Sequence, residues 1–189
     1  MTHVYLDFLR SIFEGCGQDR ITFRLCPSNE IHHLGFDQLE KAEQILERNQ
    51  NQNIYFGIAT RSDSVDPSRT GKESEIKGLC GYFLELDYDS GTSKNGKKYA
   101  PSIEAIRAVL ETSPVKPSIL IHSGHGIHAC FLFDRFQPLE SPADRKAVKK
   151  TWRSIQAYFD KAFAEFGWEI DQCADLTRMM RMPGSMNVK

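Results

Sequence analysis

Apolar positions recur along the chain with two periods, about 3.6 and 2, and the switch between them marks out helices and strands. Val4 to Phe13 reads as a helix, and Ile21 to Cys26 (ITFRLC) as a strand closed by a Pro-Ser-Asn break. Asp37 is placed to cap a helix reaching about Glu47, with Leu39, Ala42 and Leu46 inward. NIYFGIATR reads as one strand ending at Arg61, and Arg61 to Glu75, rich in turn formers and charge, as a mobile loop. GLCGYFLELDYDSG is the next strand, followed by the lysine-bearing loop SGTSKNGKK. Pro101 suits the first turn of a helix to about Glu111 with Ile103, Ile106 and Leu110 in a stripe. SILIHSGHGIHACFLF reads as a hairpin through Gly124 and Gly126. A long helix from Ser141 to about Phe166 packs Val148, Trp152, Ile155, Phe159 and Phe163, and a short one is expected over Ala174 to Met180. Ser185 to Lys189 alternates like a strand just starting, as if the chain were a fragment of a longer protein.

This order predicts an α/β (α+β) protein with a mainly antiparallel, RRM-like sheet flanked by helices, in two lobes, 1–75 and 76–189. The acidic strand carries an anomaly. Tyr82, Leu84, Leu86 and Tyr88 share one face, which leaves Glu85, Asp87 and Asp89 together with Phe83 on the other. Same-face neighbours about 7 Å apart repel by about 2 kcal/mol at an effective dielectric near 20. A solvated strand end, basic partners or a divalent cation would relieve this. Asp89 is read as the strand's exit to water. Glu85 and Asp87, set in YFLELDY, are read as ligands of a hard cation such as Mg²⁺ or Mn²⁺.

Two further stretches carry compatible chemistry. In the hairpin, Ser123, Gly124, Gly126 and His128 offer accessible amides and phosphate donors; His122 is expected to pack and His125 to sit in an exposed turn. Downstream, Asp171 precedes ADLTRMMRMPGSMNVK, where Asp175, Arg178 and Arg181 at i, i+3, i+6 could share a helix face, Asp175 bracing it and the arginines meeting phosphate.

The 189 residues carry 24 Lys plus Arg against 25 Asp plus Glu, so no global basic field marks a nucleic-acid binder and any such site must be local. No apolar run is long enough to cross a bilayer, and Asp7 and Arg10 interrupt what would be a signal-peptide core, so a cytoplasmic protein with no membrane partner is expected. The 5 cysteines are odd in number and include no Cys-x-x-Cys pair, so reduced buried thiols are expected and no zinc, even with His32 and His33 adjacent.

Glu85-Leu86-Asp87, Ser123 to His128, and Asp171 with Arg178 to Lys189, in that order, resemble the archaeo-eukaryotic primase superfamily, specifically the primase-polymerase catalytic domains of plasmids, phages and CRISPR-associated proteins. The likeness covers about Asn53 to Lys189, and the strand ending in Arg61 also resembles one found in many members. Glu85 departs from it, since the first acid is usually Asp; pairing Asp87 with Asp89 is the alternative register. The resemblance implies a template-directed nucleotidyltransferase, a DNA primase and polymerase. In it Glu85, Asp87 and Asp171 hold two divalent ions, Mg²⁺ or Mn²⁺. Ser123, Gly124, Gly126, His128, Arg178, Arg181 and Lys189 would hold the triphosphate of an NTP or dNTP, and Asn187 its base or sugar. Single-stranded template and primer would run over Arg61, Lys94, Lys97 and Lys98, and a helicase or other domain would act with the chain. Two rivals are a catalytically silent nucleotide- or nucleic-acid-binding RRM-like module, which would want exposed aromatics on its sheet, and a replication-initiator nuclease. The nuclease would need His-apolar-His where this chain has His125-Gly126-Ile127-His128.

Overall fold

The computed structural model describes residues 4–89 and 96–188. They form a mixed α+β protein of antiparallel strands with flanking helices, grouped into two compact units that the chain enters more than once. The first holds residues up to 81, 133–145 and 175 onward; the second holds 82–132 and 146–174.

In the first unit α1 (Val4–Phe13) and α2 (Leu39–Arg48) accompany a sheet ordered β2 (Ile31–Leu34), β1 (Ile21–Cys26), β3 (Asn53–Gly57), β8 (Met179–Arg181). Phe23 pairs with His32 on one side and Phe56 on the other, and Phe56 pairs with Met180. Phe8 and Phe13 meet the Phe56 ring edge-on, with centroids 5.3 and 6.5 Å away, which fixes α1 over β3. The predicted cap Asp37 sits instead in a single 3₁₀ turn, Phe36–Gln38, and Gln38 precedes α2.

The single strand expected over NIYFGIATR is broken. After β3 the chain turns at Ile58, and β4 (Ala59–Arg61) joins a different partner, β5 (Ile76–Asp87), with Ala59 opposite Leu79 and Thr60 opposite Gly78. The cause is Arg61. Its side chain is 0% exposed and folds back so that a Cβ on Gly57 would lie 2.8 Å from the guanidinium carbon. Nε donates to Thr70 O at 3.0 Å, Nη1 to Ala59 O and Nη2 to Thr177 O at 3.4 Å, so one cation gathers three chain segments. Burial pushes its pKa down to about 10, which leaves it charged at neutral pH. The expected nucleic-acid contact at Arg61 is therefore corrected: an enclosed guanidinium bonded to carbonyls is a clamp. The adjoining loop is closed by Arg69 and Glu75, paired bidentately at 2.7 Å.

The tail also departs from expectation. Asp175 to Thr177 forms a turn in which Asp175 accepts from Thr177 N and Oγ1, both at 2.9 Å, and the helix expected to Met180 gives way to β8 on the sheet edge. Among the described residues no strand follows; Asn53 holds the tail instead, accepting from Val188 N at 2.9 Å and donating to Val188 O at 2.6 Å.

In the second unit the C-terminal half of β5 lies beside β7 (Gly126–Pro138), and β7 pairs with β6 (Ile119–His122). Leu84, Leu86, Ile127, Ala129 and Phe131 meet Ile106 and Leu110 of α3 (Ile103–Thr112) and Phe159 and Phe163 of α4 (Pro142–Ala164) in one core. Ser102, rather than Pro101, opens α3, its Oγ accepting from Ala105 N at 3.3 Å. Ser141 opens α4, its Oγ accepting from Asp144 N at 3.2 Å while Asp144 accepts from Ser141 N at 2.8 Å. Among the described residues no helix is long and apolar enough to cross a membrane.

Replacing Arg61 with Met is expected to cost about 3 kcal/mol, because buried carbonyls of three segments lose their donor. Urea denaturation followed by circular dichroism checks this; a loss below about 1 kcal/mol would remove the clamp assignment.

Candidate active site

β5 ends at Asp87, and its alternation decides which acids meet water. Leu84 and Leu86, both 0% exposed, enter the helix-side core, while Glu85 and Asp87 stay half-buried on the opposite face. Ile127, Ala129 and Phe131 of β7 enter that same core, so Gly126 and His128 share the face of Asp87. The approach is close: a Cβ on Gly126 would lie 2.7 Å from Asp87 Oδ1 and strike the Leu86 carbonyl. Only glycine lets the hairpin sit against this carboxylate.

The turn itself is closed by Ser123 N donating to Gly126 O at 2.9 Å, with Gly124 at a φ of 96°. Tyr88 N donates to His125 O at 3.0 Å, tying the turn to the exit of β5. Ser123 and His128 are buried. His122, expected to pack, is exposed, and His125, expected in the open, is half-buried. Asp89 is exposed, its backbone N donating to Ala100 O at 2.8 Å.

Asp171 arrives on a segment without regular structure, anchored in the core by Ile170 and Cys173. Gln156 of α4, 1% exposed, spends its whole amide on this segment: Nε2 donates to Asp171 O at 2.6 Å and Oε1 accepts from Cys173 N at 3.0 Å. Cys173 Sγ donates to Phe83 O at 3.0 Å, the carbonyl that also accepts from Trp152 Nε1 at 2.8 Å. Neutral hydrogen bonds thus pin the segment between α4 and β5. Its carboxylate projects to Lys97 and Tyr99: Oδ1 accepts from Lys97 Nζ at 2.6 Å and from Tyr99 OH at 3.1 Å.

Titration follows this geometry. The Asp87 carboxyl is held above the usual carboxylate range, first by burial and then by the Asp171 charge. Burial, with Asp171 and more weakly Asp87, raises the Tyr99 phenol, and the hydrogen bond to Asp171 raises the Lys97 ammonium. The Asp171 charge thus reaches Asp87, and Lys97 is paired with the same Asp171 carboxylate. Hard divalent cations suit such a donor pair. Among the described residues no three His, Cys, Asp or Glu side chains are grouped to hold a metal ion; Glu85 lies two residues back from Asp87 on the same strand face.

Lys97, expected along the template path, is instead engaged with Asp171, and Lys98 is exposed with its backbone paired to Glu169. Lys94 and Lys189 lie outside the described residues. Arg178, Arg181 and Asn187 belong to the first unit. There the Arg181 guanidinium lies 5.2 Å over the Tyr55 ring and donates to Asn53 Oδ1 at 2.8 Å and Met186 O at 3.3 Å, so much of its hydrogen bonding is internal. Burial lowers the pKa of Arg178. Sequence reasoning missed Tyr99 and Gln156. Alternation of Lys97 with Tyr99 in an extended stretch was a usable hint for the first; nothing local marks the second.

The structure aligns over 95% of this chain and 80% of the other with the AEP domain of the primase-polymerase of cyanophage S-2L, with a TM-score of 0.51 at 18% sequence identity. The chain has an archaeo-eukaryotic primase fold. A protein of Clostridium perfringens named "Replication protein" is 27% identical over 139 residues, which cover 74% of this chain and 30% of that protein, so the likeness takes in about a third of its length. No family model matches the chain. In the primase fold described here, the acid-bearing C-terminal half of β5, the Gly-x-Gly turn and the Asp171 segment all fall within the second unit.

Two outcomes follow. Gln156→Leu keeps the volume but strands the Asp171 carbonyl and the Cys173 N–H; it is expected to cost about 2 kcal/mol in urea denaturation, and an unchanged midpoint would refute the pinning. The folded pKa of Asp87 lies above its unfolded value. Its contribution therefore favours folding while it is protonated and is lost as pH rises through the folded pKa. Without divalent ions, Asp87→Asn is expected to melt about 1–3 °C above wild type near pH 7, the gap closing towards about pH 4. Identical melting at both pH values would show that Asp87 bears no penalty.

Proposed function

We propose that the chain is a template-directed nucleotidyltransferase that joins nucleotides from NTPs or dNTPs. The observation that supports this most is the Asp87 carboxylate, held against a glycine hairpin and within reach of the Asp171 charge, in a primase fold. The 3′-hydroxyl oxygen of a primer or first nucleotide would bond to the α-phosphorus of the incoming nucleotide. The bond from that phosphorus to the bridging oxygen breaks, pyrophosphate leaves, and the hydroxyl proton passes to solvent or a carboxylate.

Asp87 and Asp171, with Glu85 nearby, would hold Mg²⁺ or Mn²⁺, which when bound supplies Lewis-acid neutralisation of phosphate charge. The chain's own groups do the rest. Ser123 Oγ, the His128 imidazole and the amides around Gly124 and Gly126 are donors for phosphate oxygens. Lys97 offers a positive charge that can shift from Asp171 to an incoming phosphate without leaving the site. The neutral lashing by Gln156 keeps Asp171 in place as that exchange occurs. Whether the chain primes de novo, and which other domains work with it, belongs to the same proposal: single-stranded template and a helicase-type partner fit it.

Primer extension and de novo synthesis with Mg²⁺ or Mn²⁺ test the reading. Asp87→Asn and Asp171→Asn are each expected to lose at least about 10³-fold in incorporation while retaining wild-type circular dichroism. Incorporation at the wild-type rate by Asp87→Asn would reject the pair as catalytic. Nucleotide binding without incorporation by wild type would favour a silent module, and template cleavage a nuclease.

A further inference from the structure

α4 spends one side on the core and presents a different chemistry on the other. Trp152, Phe159 and Phe163 are buried, so the residues turned away from them, among them Lys146, Lys150, Arg153 and Ala157, form the solvent face. The three cations and Ala157 are exposed, and with Ser154 they line a shallow trough of about 380 Å³. At 1.5 Å per residue Lys146 and Arg153 lie about 10 Å apart along the axis, the span of about three phosphates of one strand at 3.4 Å each. Carboxylates do not quench the row. Among the described residues Lys146, Lys150 and Arg153 have no ion-pair partner, and Asp160, the acid next along the helix, is engaged by Gln172 Nε2 at 2.9 Å.

A second feature borders the trough. Tyr158, one turn beyond Ser154, is 44% exposed and is braced edge-on by Phe159 at 5.1 Å between centroids. Cations along a groove with an aromatic face at its side make the arrangement that binds single-stranded nucleic acid: phosphates follow the charges and a base stacks on the ring. A membrane surface would want large apolar side chains among the lysines, whereas here Ser154 and Ala157 stand between them and the apolar residues of α4 are already in the core. The trough is also separate from the β5 acids, and Gln156, which reaches the Asp171 segment, is on the buried side of α4. α4 packs on the Leu84 and Leu86 face of β5, whereas Glu85 and Asp87 look out of the other.

We propose that this face of α4 is a second nucleic-acid site, which holds single-stranded DNA by its backbone away from the acidic pair. It does not rest on the transfer reaction and is tested without nucleotide or divalent ions. Fluorescence anisotropy of a labelled oligodeoxythymidine of about 20 nucleotides is measured across a salt series. The double variant Lys150→Glu, Arg153→Glu is expected to weaken binding at least tenfold and to reduce the log–log salt slope by about 1.4, the loss of two phosphate contacts on a single strand. Tyr158→Ala is expected to weaken it about fivefold with the slope unchanged. Arg107→Glu, a charge reversal on α3, should fall well short of either. Wild-type affinity in the double variant, with its circular dichroism intact, overturns the proposal. So does an equal loss in Arg107→Glu, which would show a nonspecific charge effect, or binding of the wild type to phosphatidylserine vesicles and not to the oligonucleotide.

Discussion

Two carboxylates that repel each other are held within electrostatic reach, and this constraint organises the second unit. Asp87 is fixed by the end of β5 and cannot move without dragging Leu84 and Leu86 from the core. Asp171 has no strand or helix to fix it, so its segment is fastened from three sides: Ile170 and Cys173 below, Gln156 from α4, and the Phe83 carbonyl from β5. All of these fastenings are neutral. Among the described residues, charge meets the Asp171 carboxylate as the Lys97 ammonium, in a contact that water also reaches. The first unit, by contrast, places a cation in its interior, the 0% exposed Arg61.

The contrast between Lys97 and Arg61 shows two uses of positive charge. The Arg61 guanidinium reaches three carbonyls with a rigid fork and becomes part of the framework. Lys97 and Asp171 are each about a third exposed, so water competes with their contact and keeps its net contribution small. The first is spent on folding; the second leaves Asp171 available.

The sequence was most legible where a period decides the outcome. Alternation along YFLELDY told which side chains would enter the core, and the hairpin was readable because Gly-x-Gly between two apolar runs admits few other structures. It was least legible where distant segments compete for the same residues. NIYFGIATR has an uninterrupted strand pattern, and only the fold reveals that Gly57 must give room to a guanidinium four residues on. The i, i+3, i+6 spacing of Asp175, Arg178 and Arg181 is helical on its face, yet the open edge of β3 takes Met179 to Arg181 as a strand, because paired backbone on a sheet outweighs a weak local preference. Gln156 looked like an ordinary polar position on a long helix. Its partners lie 15 and 17 residues away, and nothing nearby in the sequence announces them.

Near-neutrality of the whole chain hides a strong separation of charge. With 24 basic and 25 acidic residues the average field is negligible, and from composition alone a nucleic-acid partner finds no support. Within the second unit, however, the β5 acids occupy the sheet face opposite α4, and the exposed cations of α4 lie on the far side of that helix. The intervening sheet, core and helix form a low-dielectric slab that neither face can neutralise across, so each keeps its own local potential. Screening over roughly 8–10 Å in ordinary salt acts in the same direction from the solvent side, since charges farther apart than a Debye length act on a polyanion almost independently. A cluster of acids and a row of bases can therefore coexist in a domain of this size, provided that a packed core keeps them apart.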